Sequence, residues 1–540
     1  MRAKQQSAWA ISLWLMRFSL LLNKSNALCR PLTKRASRGS IDSLQWTLGA
    51  SSRLFSSAPS NSHDEDTIFA LSSGFTGQQA TAVAVLRISG SQAHHVFDSM
   101  TKSRLPPPRQ AALRKLYDPA RGQMLDQALC LLFESPNSFT GEDLVELHCH
   151  GSRAVVQAML DVLPTLGCRL AEPGEFTQRA FGRGKLDLVQ VEALADILGA
   201  DTQAQLKQAL SQLDGNLSKL YDDWRGRLIS GLAHAEAVID FGDDERLGED
   251  DILDDDSEQW NVWGAVGDNM IALSQSMKEH LRDERKGELI REGVKIAIVG
   301  PPNAGKSSLF NLLSKKDAAI VSPIAGTTRD VLQVSMDLGG VKCTLQDTAG
   351  VRKDTDDVLE IEGIKRAQSV AENADLVVAM VDGSSGADKA GGLDAVKSIL
   401  DENKLSASML VMNKCDIKDD GEDSKGEESS GFGNTYDISC VTQEGIDDFL
   451  DALSQAVTSR TQDDSGNEGA VITRARHRQH VEAAADALER FKVLSGQGPL
   501  AVDMAAEELR YAASELGRIT GAVDVEDVLD VLFSDFCIGK

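Results

Sequence analysis

The sequence predicts a multidomain protein built of α/β and α parts. An N-terminal α/β domain is followed by a helical domain in two pieces, with a parallel α/β nucleotide domain inserted between them. Three observations carry this reading. The chain has 540 residues, too many for one hydrophobic core. Its apolar period changes from strand-like to helical near residue 184, then to strand–helix alternation near residue 291. After about residue 465 the period is helical again.

Residues 1–60 differ in composition from everything after them. They are rich in Arg, Lys and Ser and contain one acid, Asp42. The apolar run over 9–22 is cut by Arg17 and is too short to span a bilayer, so no membrane insertion is expected. A basic, serine-rich, acid-poor start is the composition of an organellar transit peptide. Arg53-Leu54-Phe55-Ser56 resembles a mitochondrial processing site. The expected location is the mitochondrion, with the plastid as the alternative.

Residues 64–183 read as mixed α/β, with strands over 82–88, 128–133 and 144–150. Residues 184–290 form the first helical part, in which Val189, Ala193, Leu194, Ile197 and Leu198 recur at helical spacing. An acidic stretch near 242–257 interrupts it. Residues 465–540 form the second part. Leu509, Ala512, Leu516 and Ile519 make one stripe, stopped by Gly521. Val525, Val528, Leu529, Leu532, Phe533 and Phe536 make another, before a Cys537-Ile538-Gly539-Lys540 tail.

Composition excludes several classes. Apolar content of 42% fits a globular chain rather than a disordered or membrane one. The formal charge of −26 argues against tight nucleic-acid binding by this chain alone. Acid runs over 240–258 and 418–428 read as solvated loops. The eight cysteines show no C-x-x-C pair, so they read as reduced thiols rather than a disulfide frame or zinc site. His148 and His150 alternate on a strand; packed or hydrogen-bonded rings are the expectation, not a metal site.

Residues 291–460 carry the chemistry. Gly300-Pro301-Pro302-Asn303-Ala304-Gly305-Lys306-Ser307 fits the phosphate-loop pattern, after an apolar strand and before a helix that opens at Ser308. The glycines let backbone N–H groups turn inward around phosphates, and the helix N-terminus adds donors and a favourable dipole. Lys306 neutralises the β- and γ-phosphates, and Ser307 offers a hydroxyl to Mg²⁺. Gly326-Thr327-Thr328 lies where a first switch belongs, with Thr328 as the second magnesium hydroxyl. Asp347-Thr348-Ala349-Gly350 ends a strand; Asp347 reaches Mg²⁺ through water, and the Gly350 N–H faces the γ-phosphate. Asn413-Lys414-Cys415-Asp416 ends another. The Asp416 carboxylate accepts from guanine N1–H and N2–H₂, which adenine does not offer. Ser439-Cys440 supplies the last loop, whose backbone meets guanine O6. Together these predict a Ras-like P-loop GTPase domain. Val351 stands where Ras-like enzymes place a water-orienting Gln. Hydrolysis must recruit another group, and Glu360 and Glu362 are the nearby carboxylates.

The chain resembles the MnmE (TrmE) tRNA-modification GTPases over nearly all of residues 64–540. The segments that carry the likeness are Val85-Leu86-Arg87-Ile88-Ser89-Gly90, Asn137-Ser138-Phe139-Thr140-Gly141-Glu142-Asp143, Pro173-Gly174-Glu175-Phe176-Thr177-Gln178-Arg179-Ala180-Phe181, Lys185-Leu186-Asp187-Leu188 and the terminal Phe536-Cys537-Ile538-Gly539-Lys540. The resemblance implies that the first domain is tetrahydrofolate-binding-like and makes a homodimer. Its contacts to a 5,10-methylene or 5-formyl tetrahydrofolate map to Arg87, Glu146, Lys185 and Lys540. It implies a potassium ion held by Asn303, Ser322, Ile324 and Thr327, within the nucleotide-contacting loop Ser322, Pro323, Ile324, Ala325, Gly326 and Thr327. Glu360 maps to the family's water-orienting carboxylate, and Cys537 is a candidate thiol. The resemblance also implies an FAD-dependent partner of the MnmG (GidA) type. With it, an aminomethyl-type group is placed on C5 of the wobble uridine of certain tRNAs. The competing expectations are a ribosome-assembly GTPase, against which no KH-type G-x-x-G segment is found, and a scaffold that only dimerises on GTP.

Overall fold

The computed structural model describes residues 66–73, 80–244, 258–316, 332–347, 365, 367–417, 432–461, 470–497, 501–523, 528–529, 532–533, 536 and 539. The chain divides into two units, residues 1–62 and 63–540, and every described residue belongs to the second. The transit-peptide reading therefore lies outside the described residues.

The first sheet is made from β1 (Ile68–Leu71) and β2 (Thr81–Ser89), then, after helix α1 (Ala93–Thr101), β3 (Ala112–Tyr117), β4 (Met124–Phe133) and β5 (Leu144–Gly151). Helix α2 (Arg153–Val162) leads to β6 (Arg169–Leu170). The strand order is β3-β4-β5-β2-β1-β6, antiparallel except for the β1–β6 pair. Alternation decides its faces. Ala84, Leu86 and Ile88 are fully buried with Phe97 and Met100 of α1 and Met159 of α2. Val85 and Arg87 point to the opposite face, where Arg87 lies across from Glu146 and Val85 across from His148.

Helix α3 (Glu175–Gly182) is pinned to this sheet by charge. Arg179, 4% exposed, donates to Glu142 at 3.1 Å and to Glu175 at 2.9 Å. Arg183 reaches the same Glu142 at 2.7 Å, and Ser89 donates to it at 2.7 Å. Two segments quoted above for the resemblance, 137–143 and 173–181, are thus joined by one buried ion cluster.

The first helical part comprises α4 (Leu188–Gly199), α5 (Gln203–Leu213), α6 (Asn216–Asp244), α7 (Glu258–His280) and α8 (Lys286–Glu292). Asp187 with Gln190 and Thr202 with Gln205 form capping boxes that fix where α4 and α5 begin. Of the α4 stripe, Val189 and Ala193 are buried, but Leu198 is 45% exposed. It sits one residue before the helix ends, beyond the elements that cover its first two turns.

The second sheet runs through β7 (Val294–Val299), α9 (Lys306–Leu313), β8 (Leu332–Leu338), β9 (Val341–Asp347), β10 (Leu376–Asp382), α10 (Gly386–Ile399), α11 (Glu402–Ala407), β11 (Met409–Asn413), β12 (Asn434–Asp437) and α12 (Ile446–Thr461). Its order is β12-β11-β10-β7-β9-β8, with only the β8–β9 hairpin antiparallel. Apolar residues of α9 and α12 cover one face and those of α10 the other, so the central strands are buried on both sides.

The chain then returns to helices as α13 (Ala475–Ser495) and α14 (Val502–Thr520). Leu509, Ala512, Leu516 and Ile519, the stripe read from sequence, are all fully buried against Tyr221, Leu228 and Leu273 of α6 and α7. Burying each leucine or isoleucine contributes about 2 kcal/mol. Gly521 ends the helix at φ +86°, and a Cβ there would meet the Phe181 ring at 2.9 Å. From the second stripe, Leu532, Phe533 and Phe536 pack on Leu188 and Val191; Val525 lies outside the described residues.

Both crossings between the helices and the second sheet are tied to α4. Arg291, entering, and Arg474, returning, reach Asp196 at 3.0 and 2.8 Å. One turn earlier, Glu192 is 2% exposed and bonds His477 at 2.8 Å and Arg476 at 2.9 Å.

Candidate functional site

The loops at the carboxyl ends of β7, β10 and β11 converge. Gly300 leaves β7 at φ +155°, so close to β10 that a Cβ would lie 2.0 Å from the Met380 carbonyl. Asn303 adopts φ +65°, and Gly305 caps α9 at φ +103° with only 2.1 Å between a built Cβ and the Asn413 amide. A side chain at 300 would meet the β10 backbone and one at 305 would displace the Asn413 amide, and both positions hold a positive φ that favours glycine. The result is a turn whose N–H groups lead into a helix N-terminus, an anion cradle. Lys306 is 8% exposed, and its ammonium donates to the carbonyls of Gly300 and Pro301, each at 2.8 Å. Ser307 and Ser308 are exposed on the first turn of α9.

Asn413 joins the separate loops. It is 3% exposed; its amide donates to the Ala304 carbonyl at 2.9 Å, and its oxygen accepts the Cys440 N–H at 3.1 Å. It therefore fixes the phosphate loop and the last loop relative to each other. Lys414, at φ +66°, pairs with Asp382 at the end of β10. Asp416 is exposed in the short turn Cys415–Ile417 that follows. Ser439 is fully buried, and its hydroxyl accepts the N–H groups of Val441 and Thr442 at 3.2 and 3.1 Å, which curls the last loop. Asp347 ends β9 beside Ile298 of β7.

Sequence reasoning missed Asp382. Its carboxyl would be raised by burial, but Lys414 and Ser384 more than offset this and hold it below the usual range. Ser322, Pro323, Ile324, Ala325, Gly326, Thr327, Thr328, Thr348, Ala349, Gly350, Val351, Glu360 and Glu362 lie outside the described residues.

A second constellation lies on the open face of the first sheet. The Arg87 guanidinium donates to Glu146 at 3.0 and 3.2 Å and lies 5.4 Å from the Phe139 ring and 5.6 Å from that of Phe176. Burial raises the Glu146 carboxyl, but His148 and Arg87 outweigh it and keep the group ionised. His148 Nε2 stands 3.6 Å from Glu146, while His150 bonds Asp126 at 2.8 Å. Among the described residues, no three His, Cys, Asp or Glu come together as a metal site. Lys185 is exposed; a Cβ on Gly141 would lie 3.4 Å from its Cε. Cys537 and Lys540 lie outside the described residues, but Gly539 between them accepts the Ser72 hydroxyl at 3.0 Å. Phe139 and Phe176 were not read as site residues; their only signal was membership of the two segments joined by Arg179.

Comparison with known proteins follows the same division. A family profile described as the GTP-binding protein TrmE N-terminus matches residues 67–185, and one described as the MnmE helical domain matches residues 188–537. The tRNA modification GTPase MnmE of Parvibaculum lavamentivorans is 46% identical over 476 residues, covering 88% of this chain and 100% of that one. This chain belongs to the MnmE family. Within the family it is also 43% identical, over 516 residues, to the mitochondrial 5-taurinomethyluridine-tRNA synthase subunit of Homo sapiens, covering 92% of this chain and 99% of that one. A tRNA modification GTPase MnmE of Paramagnetospirillum magneticum is 45% identical over 478 residues, covering 88% of this chain and 100% of that one. Among the described residues no helix is long and apolar enough to cross a membrane.

Proposed function

We propose that this chain hydrolyses GTP to drive modification of the wobble uridine of certain organellar tRNAs. The group added at C5 is of the aminomethyl type, carboxymethylaminomethyl or taurinomethyl. A folate one-carbon unit is the donor, and an FAD-dependent MnmG/GidA-type subunit is the partner. The observation that carries this beyond a plain GTPase switch is Arg87, ion-paired with Glu146 and flanked by Phe139 and Phe176. The half-buried Phe139 ring and a paired guanidinium backed by the fully buried Phe176 suit a flat, hydrogen-bonding heterocycle such as a tetrahydrofolate. Lys185 belongs to the same domain, and Gly539 accepts the Ser72 hydroxyl of that domain at 3.0 Å. A homodimer made by the first domain is part of this reading. The acid-poor N-terminus and the mitochondrial relatives favour a mitochondrial location over a plastid one.

In hydrolysis, the turn at 300–305 holds the phosphates by backbone N–H groups and Lys306 neutralises the charge that develops on them. Asp416 selects guanine, and Asn413 keeps base and phosphate loops in register. Ser307, exposed beside the cradle, fits a Mg²⁺ ligand; Thr328 and Asp347 are the further proposed contacts, and the ion supplies charge neutralisation at the phosphates. Asn303, held outward at φ +65° beside the phosphate loop, suits a potassium ligand together with Ser322, Ile324 and Thr327. Glu360 is the proposed water-orienting group.

Residues 61–540 are expected to hydrolyse GTP at least tenfold faster in potassium chloride than in sodium chloride at equal ionic strength. Equal rates in both salts would sink the potassium site. Arg87→Glu places two carboxylates against each other, and titration calorimetry with 5-formyltetrahydrofolate is expected to show binding by the unaltered chain and at least a hundredfold loss in the variant. No heat of binding from the unaltered chain would return the reading to a GTPase switch without folate chemistry.

A further inference from the structure

The charge of −26 hides a local reversal. Between residues 102 and 121 the chain carries Lys102, Arg104, Arg109, Arg114, Lys115 and Arg121 against one acid, Asp118. These residues lie on β3 and the loops that flank it, and among the described residues β3 is an edge of the first sheet, paired with β4 alone. Lys102, Arg104, Arg109, Lys115 and Arg121 are exposed. Two of the nearby acids are already engaged. Asp118 accepts the turn N–H groups of Ala120 and Arg121, at 2.8 and 3.2 Å, and Asp126 holds His150. Arg121 stands 3.8 Å from Asp118 with its side chain 80% exposed.

Two of the cations lie near aromatic rings, and Arg109 also donates to the Asn137 carbonyl at 2.7 Å. The Lys102 ammonium lies 5.1 Å from the Tyr117 ring and the Arg109 guanidinium 5.9 Å from that of Phe133. Both residues hold positive φ, +52° and +61°, which side chains rarely adopt. Lys102 closes α1 as its left-handed cap, its N–H bonded to the Asp98 carbonyl. A six-residue strand is about 20 Å long, enough to face several phosphates of one nucleic-acid strand. Cations interleaved with ring faces suit RNA, whose phosphates meet the charge while exposed bases meet the rings.

We propose that the β3 edge, with Lys102, Arg104, Lys115 and Arg121 as its exposed charges, contacts the phosphodiester backbone of the tRNA. This rests on the tRNA reading above and assigns the contact to a surface remote in sequence from the nucleotide loops. The edge is short, so binding by this chain alone is weak and strongly salt-dependent.

The test compares the full chain with its Lys102→Glu/Lys115→Glu/Arg121→Glu variant, using fluorescein-labelled tRNA transcript and anisotropy from 25 to 200 mM KCl (an order-of-magnitude range for resolving counterion release). The variant is expected to lose affinity at least tenfold at low salt. Its plot of log affinity against log salt should be shallower by about three, one unit per lost phosphate contact. GTP hydrolysis should be unchanged, which reports that the variant is folded. The charge-conserving Lys102→Arg/Lys115→Arg/Arg121→Lys variant should bind as the parent does. Equal tRNA affinity and slope in parent and charge-reversed chains overturn the proposal. Equal tRNA binding with loss of the FAD-dependent subunit also overturns it, in favour of a protein interface. If the unaltered chain with its partner modifies no tRNA, it is the proposed function that fails. If parent and charge-reversed chains modify tRNA equally well, only the β3 contact fails.

Discussion

Replacing Asp416 by Asn is expected to convert a guanine site into a xanthine site. The carboxylate accepts N1–H and N2–H₂ of guanine, and an amide offers one acceptor and one donor instead. The donor then faces the guanine amino group, so one hydrogen bond is lost and a repulsive contact replaces it. A hydrogen bond to a charged group contributes about 1.5–3 kcal/mol, and with the repulsive contact added the loss is about 3–5 kcal/mol, or roughly two to four orders of magnitude in GTP affinity. Xanthine carries a carbonyl at C2, which the amide N–H can meet. The substitution is nearly isosteric and the site around it is held independently. Asp416 is exposed, while Asn413 and the Lys414–Asp382 pair fix the turn from inside. The measurement is hydrolysis of GTP and of xanthosine triphosphate by parent and variant under the same conditions. A variant that still prefers GTP would show that Asp416 does not read the base.

The second large effect is on stability. Glu192→Gln should destabilise the helical core by about 3–5 kcal/mol, the usual consequence of removing one partner from a buried ion cluster. The carboxylate is 2% exposed and faces His477, Arg476 and Arg474 at 2.8, 2.9 and 3.6 Å. An amide removes the carboxylate that Arg476 and His477 share, although Arg474 keeps Asp196 at 2.8 Å. Burial alone would raise the Glu192 carboxyl, but His477, Arg474 and Arg476 together bring it down to about 2 from an ordinary 4.5. A folded value below the unfolded one adds stability that is full above about pH 4.5 and is lost as the pH falls toward 2. The parent should therefore lose about 3 kcal/mol more than the variant across that window. Trp224 and Trp263 are 2% and 3% exposed in the same core, so tryptophan emission during urea unfolding reports it directly. Coincident acid limbs for parent and variant would mean that Glu192 is not ionised in the folded chain.

The sequence by itself determined the nucleotide site. Phosphates are gripped by the backbone of a single turn, so Gly300, Gly305 and Lys306 must be contiguous, and strand β7 and helix α9 must flank them. The same holds for Asn413 and Asp416, which a single strand end presents together. Local periodicity also sufficed for α14, where Leu509, Ala512, Leu516 and Ile519 share one face and Gly521 closes the helix. Where a local signal stopped short of a contact, it misled. Leu198 continues the apolar period of α4, yet it stays 45% exposed.

Only the tertiary structure decided the rest. Arg87 meets Phe139, Glu146 and Phe176 because two strands, a loop and a helix bring distant segments together, and no spacing rule links them. Glu192 is joined to His477 across most of the chain, through a domain that neither residue belongs to. The basic edge at β3 was masked by a net charge of −26. A sum over the chain carries no information about where charges lie, and electrostatic contacts fall off within about 10 Å in ordinary salt. The sequence therefore named the chemistry that one turn of backbone can perform. Folding placed the groups whose chemistry depends on neighbours supplied from elsewhere in the chain.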